Sequence, residues 1–256
     1  MNDFDTNGFL GTQTFSIRNT FLEKYRKQFS FAEELNRFAI SQVDFFPFQI
    51  NLKDIIIGSL FCKCITSYQS TILILSYGLP NEAEVLLRSL MESTFILHAC
   101  CNKEEYCKEY LKSHEAQRLK LAKNVTSNNL AIDLAPSFTA EEINDAKNKY
   151  KHLKKFELNF KEISKKAGLE YYYLTQYFNL SITTHSLPRS LEHYINLDKN
   201  DEPFFDIIPK LDDDIVKLLI MLSSDLMLKT LDKLHNYYKL EYNRRIKAFY
   251  EKLNLL

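Results

Sequence analysis

An all-α fold, a helical bundle of long antiparallel helices, is what this sequence predicts, and three observations predict it. Apolar residues recur at helical spacing over several long stretches. Five glycines and six prolines in 256 residues are too few for the many tight turns of an all-β chain. Capping residues stand where helices of that spacing should begin and end. The division expected is an N-terminal helical arm, residues 1–48, and a single helical-bundle domain, residues 49–256.

Phe15, Ile17, Phe21 and Tyr25, followed by Phe31, Leu35, Phe38 and Ala39, form one or two amphipathic helices that Pro47 ends. Asn51 is placed to cap a long helix running to about Tyr77, which Gly78 and Pro80 stop. Between Ile55 and Tyr77 the single charge is Lys63, so this helix resembles a membrane span in hydropathy. Its polar mid-section (Lys63, Ser67, Gln69, Ser70, Thr71) favours a central helix buried in protein instead. Asn81–Cys101 is a third long helix with Glu82 and Glu84 near its positive end. Lys103–Lys123 is a fourth, densely charged helix. Val125–Ser137 reads as a loop, and Thr139 with Glu142 as a capping box opening the next helix.

Residues 147–166 carry eight lysines against Glu157 and Glu162, a local excess of six positive charges. They read either as a solvated helix pair or as a phosphate-contacting patch with Lys151, Lys154, Lys155, Lys165 and Lys166 as RNA contacts. Helices follow at Asn159–Ser164 and Glu170–Ser186, on either side of Gly168. Ile195–Ile208 fits a small hairpin or ordered loop. Leu211–Asp214 then starts a long terminal helix running towards Tyr250.

The formal net charge is zero, from 33 basic and 33 acidic residues, so the chain as a whole does not attract nucleic acid. Neither a dinucleotide-binding nor a phosphate-loop glycine pattern occurs. The N-terminus shows no signal-peptide pattern, and five cysteines, an odd number, fit a reducing compartment. The expectation is a cytoplasmic protein that does not enter a membrane. Cys62, Cys64, Cys100, Cys101 and Cys107 lack zinc-ligand spacing and read as core thiols. No metal or other cofactor is expected.

Four residues stand out as candidates for chemistry. Arg88 and Glu92 are four apart, share a helix face and can pair. With Glu84, Ser89 and Ser93 they form a narrow polar stripe that is either a solvent face or a semi-buried ion pair lining a pocket. His185 falls in register with Leu174, Phe178 and Ser181, a face expected to point at the core, either as a structural histidine or as an acid/base group. Arg189 and His193 follow on a turn that Ser186 is placed to cap; they mark either a polar junction or a phosphate-holding element. Ser181 and His193 are supporting candidates.

These residues also carry a resemblance. Arg88-Ser89-Leu90-Met91-Glu92 resembles the R-S-L-x-E motif of a bacterial helical family of unknown function, and His185-Ser186-Leu187-Pro188-Arg189-Ser190 resembles that family's downstream H-S-x-P-R-S-like motif. The likeness spans roughly residues 50–197. That family is similar to the HEPN-like superfamily of helical proteins, many of them dimeric ribonucleases of toxin or antiviral systems. The resemblance implies a homodimer of bacterial defence or stress that acts as a metal-independent endoribonuclease, with Arg88, Glu92, His185 and Arg189 as its converging catalytic set, RNA as substrate and an operon-encoded protein as partner. The residues alone equally fit a non-enzymatic module that binds a protein or ligand, with the same cluster as a structural network.

Overall fold

Helices make up nearly all of the regular structure in the computed structural model, which describes residues 3–127, 139–185, 187–206, 212–240 and 244–256. A short helix α1 (Asp3–Asn7) precedes α2 (Thr14–Lys24) and α3 (Arg26–Ser41). The long central pair is α4 (Leu52–Ser76) and α5 (Pro80–Asn102), followed by α6 (Glu104–Ser127), α7 (Ala140–Leu153) and α8 (Phe160–Ala167). Helix α9 runs through Glu170–Tyr172, a π-helical stretch Tyr173–Tyr177, and Phe178–Thr184. After α10 (Pro188–Leu191), strands β1 (Ile195–Leu197) and β2 (Pro203–Phe205) pair antiparallel with Asn196 opposite Phe204. The chain ends with α11 (Asp213–Tyr237) and α12 (Arg244–Leu253). The fold is the expected all-α bundle, and the small hairpin lies inside the expected 195–208 region.

The α4–α5 pair is the frame for everything else. At its start, Asn51 accepts a hydrogen bond from the Asp54 N–H at 2.9 Å, while Asp54 accepts the Gln49 N–H at 2.9 Å. One orphan donor of the first turn is thereby satisfied, and Asp54 ties the preceding segment to it. At the other end Gly78 takes φ +75°, and the N–H groups of Gly78 and Leu79 reach back to Leu75 and Ile74. This left-handed closure turns the chain sharply into α5, so the two helices run antiparallel. Packing against α3 and α11 buries Ile57, Leu60, Phe61, Cys64, Tyr68 and Leu75 of α4. No helix among the described residues is long and apolar enough to cross a membrane, and the apolar run of α4 is a buried helix of the bundle. Phe21, Tyr25, Phe29, Leu35 and Phe38, from the segment 1–48, join the same core.

Gly78 and Gly168 provide a matched test. Both have positive φ, but a Cβ at Gly78 would stand 3.0 Å from the Phe21 ring, whereas one at Gly168 meets nothing within 4 Å. Each alanine substitution should cost about 1 kcal/mol of backbone strain. Gly78→Ala should lose more, because Phe21 must move. Urea midpoints of the two variants measure the difference, and equal losses would contradict the close approach.

Three expectations need correction. The terminal helix is not continuous to Tyr250: it stops at Tyr237, where Lys239 takes φ +52° and Leu240 N–H bonds His235 O at 3.0 Å. This closure normally uses glycine, so no sequence signal marked it. The expected loop from Val125 begins later, since α6 continues to Ser127; residues 128–138 lie outside the described ones. Finally, the face of α9 bearing Leu174, Phe178 and His185 is exposed, Leu174 by 62% and Phe178 by 67%. The tyrosine face (Tyr173, Tyr177) with Leu180 is the one packed on the core. The expected capping box has Thr139 just before α7, but the side chain of Glu142 lies outside the described residues, as does Ser186.

Burial also sets a pH response. His98 is 7% exposed on α5, and its Nε2–H donates to the Lys229 carbonyl at 3.2 Å. Burial first, and the lysine charges Lys233 and Lys229 second, hold its pKa down at about 3 against an ordinary 6.5. A histidine depressed in the folded state contributes stability above its unfolded pKa and loses it as pH falls. Between pH 6.5 and 3 this group should cost about 1.4 kcal/mol per pH unit. Replacing it by glutamine, which keeps a donor for Lys229, should flatten the fall in urea midpoint between pH 7 and 5; an unchanged slope would mean that His98 is not the group responsible.

Candidate functional site

Arg88 sits on the α5 face that α9 covers, one turn before Glu92, and its side chain is 15% exposed against 26% for Glu92. The pair is therefore semi-buried, while Arg88 and Glu92 line neither the cavity between α5 and α6 nor the one between α2, α3 and α4. Arg88 Nε donates to Glu92 Oε1 at 3.1 Å, Nη2 donates to the Tyr177 hydroxyl at 2.8 Å, and Tyr177 in turn donates to Glu92 Oε1 at 2.8 Å. The three side chains close a hydrogen-bonded ring. The guanidinium carbon lies 4.7 Å from the Tyr177 ring centroid, and Tyr173 stacks on the other tyrosine at 4.9 Å with planes 21° apart. Burial and the bond to Glu92 push the Tyr177 hydroxyl up to about 12, so it remains a neutral donor.

His185 completes the cluster from the exposed side. Its Nε2 is 3.1 Å from Arg88 Nη1. A guanidinium only donates, so Nε2 accepts and the ring proton resides on Nδ1. Residues separated by 97 positions thus meet, and each guanidinium nitrogen has a protein partner.

The extra residue of the π-helical stretch places this geometry. Such single turns concentrate at functional sites. Here Tyr173 and Tyr177 stack on the inner side of α9 while His185, at its C-terminal cap, reaches Arg88. Tyr177 is the one member not singled out from the sequence; the run Tyr171-Tyr172-Tyr173 with Tyr177 was the available signal.

The other candidates distribute unevenly. Ser181 Oγ donates to the Tyr177 backbone carbonyl at 2.6 Å, one turn back along α9, and to no side chain of the cluster among the described residues. Arg189 belongs to α10, but its side chain lies outside the described residues. His193 lies on the following turn, near Glu84. Glu84 is one turn before Arg88 and accepts a hydrogen bond from Thr183; burial raises its pKa against the lowering by that bond and by His193. Around the lysine segment, Lys165 faces Glu162 and Glu170, and Lys166 pairs with Glu109, while Lys151 and Lys154 are exposed. Four of the cysteines are buried and Cys62 is exposed. Among the described residues no group of three or more His, Cys, Asp or Glu side chains could hold a metal ion.

Tyr177→Phe tests the ring. It removes the shared hydroxyl from two half-buried partners and should cost about 1–2 kcal/mol in urea unfolding, while the aromatic stack persists. A neutral outcome would show that solvent replaces the hydroxyl.

Neither the curated proteins nor the solved structures give a match to the chain. One protein family does match, over residues 54–203, more than half of the chain. That span contains α5, the π-helical stretch and all four members of the Arg88 cluster. The chain belongs to this family of unknown function, DUF5677.

Proposed function

We propose that the Arg88 cluster is the phosphodiester site of a metal-independent endoribonuclease, a HEPN-like protein of bacterial defence or stress that works as a homodimer in the cytoplasm beside an operon-encoded partner protein. One observation carries the reading: an arginine and a histidine from separate helices meet at 3.1 Å on the exposed edge of a cluster that is otherwise half-buried. When RNA arrives, Arg88 Nη1 turns from His185 to a phosphate oxygen, which frees Nε2. The imidazole then takes the 2′-hydroxyl proton as that oxygen bonds to phosphorus and the bond to the 5′-oxygen breaks. The proton passes to the departing oxygen, leaving a cyclic phosphate and a 5′-hydroxyl. Arg88 and Arg189 stabilise the charge on the phosphate, Glu92 holds the guanidinium, and the exposed lysines of 147–166 draw in the RNA.

A second reading is favoured by a different observation. All three guanidinium nitrogens already have partners, as in a structural network of a non-enzymatic binding module. Incubating the purified chain with a mixed RNA panel without added metal, beside His185→Ala and Arg88→Ala, separates them. Cleavage by the parent that both variants lose supports the nuclease. An inactive parent, with Arg88→Ala less stable, supports the module.

A further inference from the structure

One helical turn beyond Glu92, α5 forms the floor of a second feature, a cavity of about 730 Å³ between α5, α6 and the segment leading into α8. Ile96, Ala99 and Cys100 close it below, and Tyr106, Tyr110 and Phe156 contribute its aromatic walls. This is the size range of small-molecule sites. Its four glutamates and four lysines are unevenly paired. Glu109 is held by Lys166 at 2.5 Å, Glu157 by Lys120 at 3.1 Å and by the Tyr150 hydroxyl, and Glu162 faces Lys165 at 3.5 Å. Lys112 and Lys155, by contrast, make no ion pair among the described residues. Both instead stand over the same Phe156 ring, at 4.8 and 5.2 Å from its centroid. Two ammonium groups around one aromatic ring, neither in an ion pair with a carboxylate among the described residues, form a place for a multiply charged anion. The apolar and aromatic side chains that share the lining suit a flat ring.

We propose that this cavity binds a nucleoside phosphate, with the base against Tyr106, Tyr110 and Phe156 and the phosphate between Lys112 and Lys155. The same chemistry is presented by a free mononucleotide and by the phosphorylated end of an RNA chain. Glu105 lines the cavity as well and makes no ion pair among the described residues, so its carboxylate can accept from base N–H groups. The site is separate from the Arg88 cluster, and ligand binding here does not require that the protein cleave anything.

Calorimetric titration of the full chain at low salt tests it, with 5′-GMP, 5′-UMP, guanosine, inorganic phosphate and a 5′-phosphorylated hexaribonucleotide as probes. A mononucleotide should bind one to one, at least about tenfold more tightly than phosphate or guanosine alone, since base and phosphate contacts each contribute. The doubly substituted Lys112→Glu/Lys155→Glu chain should lose at least about tenfold in affinity while keeping its helical circular dichroism, both side chains being exposed. Lys27→Glu/Lys199→Glu, which alters exposed lysines that neither line the cavity nor belong to the 147–166 segment, should leave the affinity unchanged. Binding of the hexanucleotide alone, with the same dependence on Lys112 and Lys155, would identify an RNA end as the natural source. The proposal is overturned if no probe binds, if phosphate binds as tightly as the nucleotides, or if both lysine pairs weaken binding equally.

Discussion

His185→Ala is expected to remove RNA cleavage while leaving the unfolding midpoint nearly unchanged. The imidazole is exposed and, among the described residues, makes one hydrogen bond, to a guanidinium already held by two other partners, so its loss should cost less than about 1 kcal/mol of stability. As the acid/base group, the same imidazole should contribute about 10²–10⁴-fold to the rate. The comparison is made with one preparation, measuring initial cleavage rates without metal and urea unfolding side by side. A variant that cleaves at the parent rate would remove His185 from the mechanism. A variant that is strongly destabilised would identify the histidine as structural.

Arg88→Ala is expected to fail in both assays. The side chain is 15% exposed and neutralises Glu92, whose own side chain is 26% exposed. Removing one partner of a shielded pair leaves an uncompensated carboxylate, and a loss of about 3 kcal/mol follows. The control is the double variant Arg88→Met/Glu92→Gln, which removes both charges and keeps side-chain volume. It should recover much of the stability and none of the cleavage. If the double variant is no more stable than Arg88→Ala, the loss comes from Tyr177 and the packing around it, since the orphaned carboxylate has then been removed. If it regains cleavage, Arg88 has no role in binding phosphate.

Much of the bundle is legible in the sequence. Asn51, Gly78 and Gly168 mark helix ends with residues whose local chemistry needs no tertiary partner. The Arg88–Glu92 pair was legible for the same reason, because i and i+4 are neighbours on any helix. What failed depended on context. Lys239 adopts a glycine-like conformation that its side chain does not advertise, so the terminal helix was expected to continue. Helical register, applied uniformly along α9, turned Leu174, Phe178 and His185 inward, whereas the π-helical stretch and the packing of Tyr173 and Tyr177 leave that face outside.

The helical class, the principal helix boundaries, a small hairpin or ordered loop near 195–208 and the polar stripe of α5 were all legible along the chain, because they arise from contacts within a few residues. That His185 meets Arg88 across 97 positions, that Tyr177 joins Arg88 to Glu92, and that a cavity opens beside the lysine segment became visible in the packed bundle alone. Those outcomes depend on how one helix lies upon another. Spacing along the chain carries the identity of each face but not the partner against which that face will be pressed.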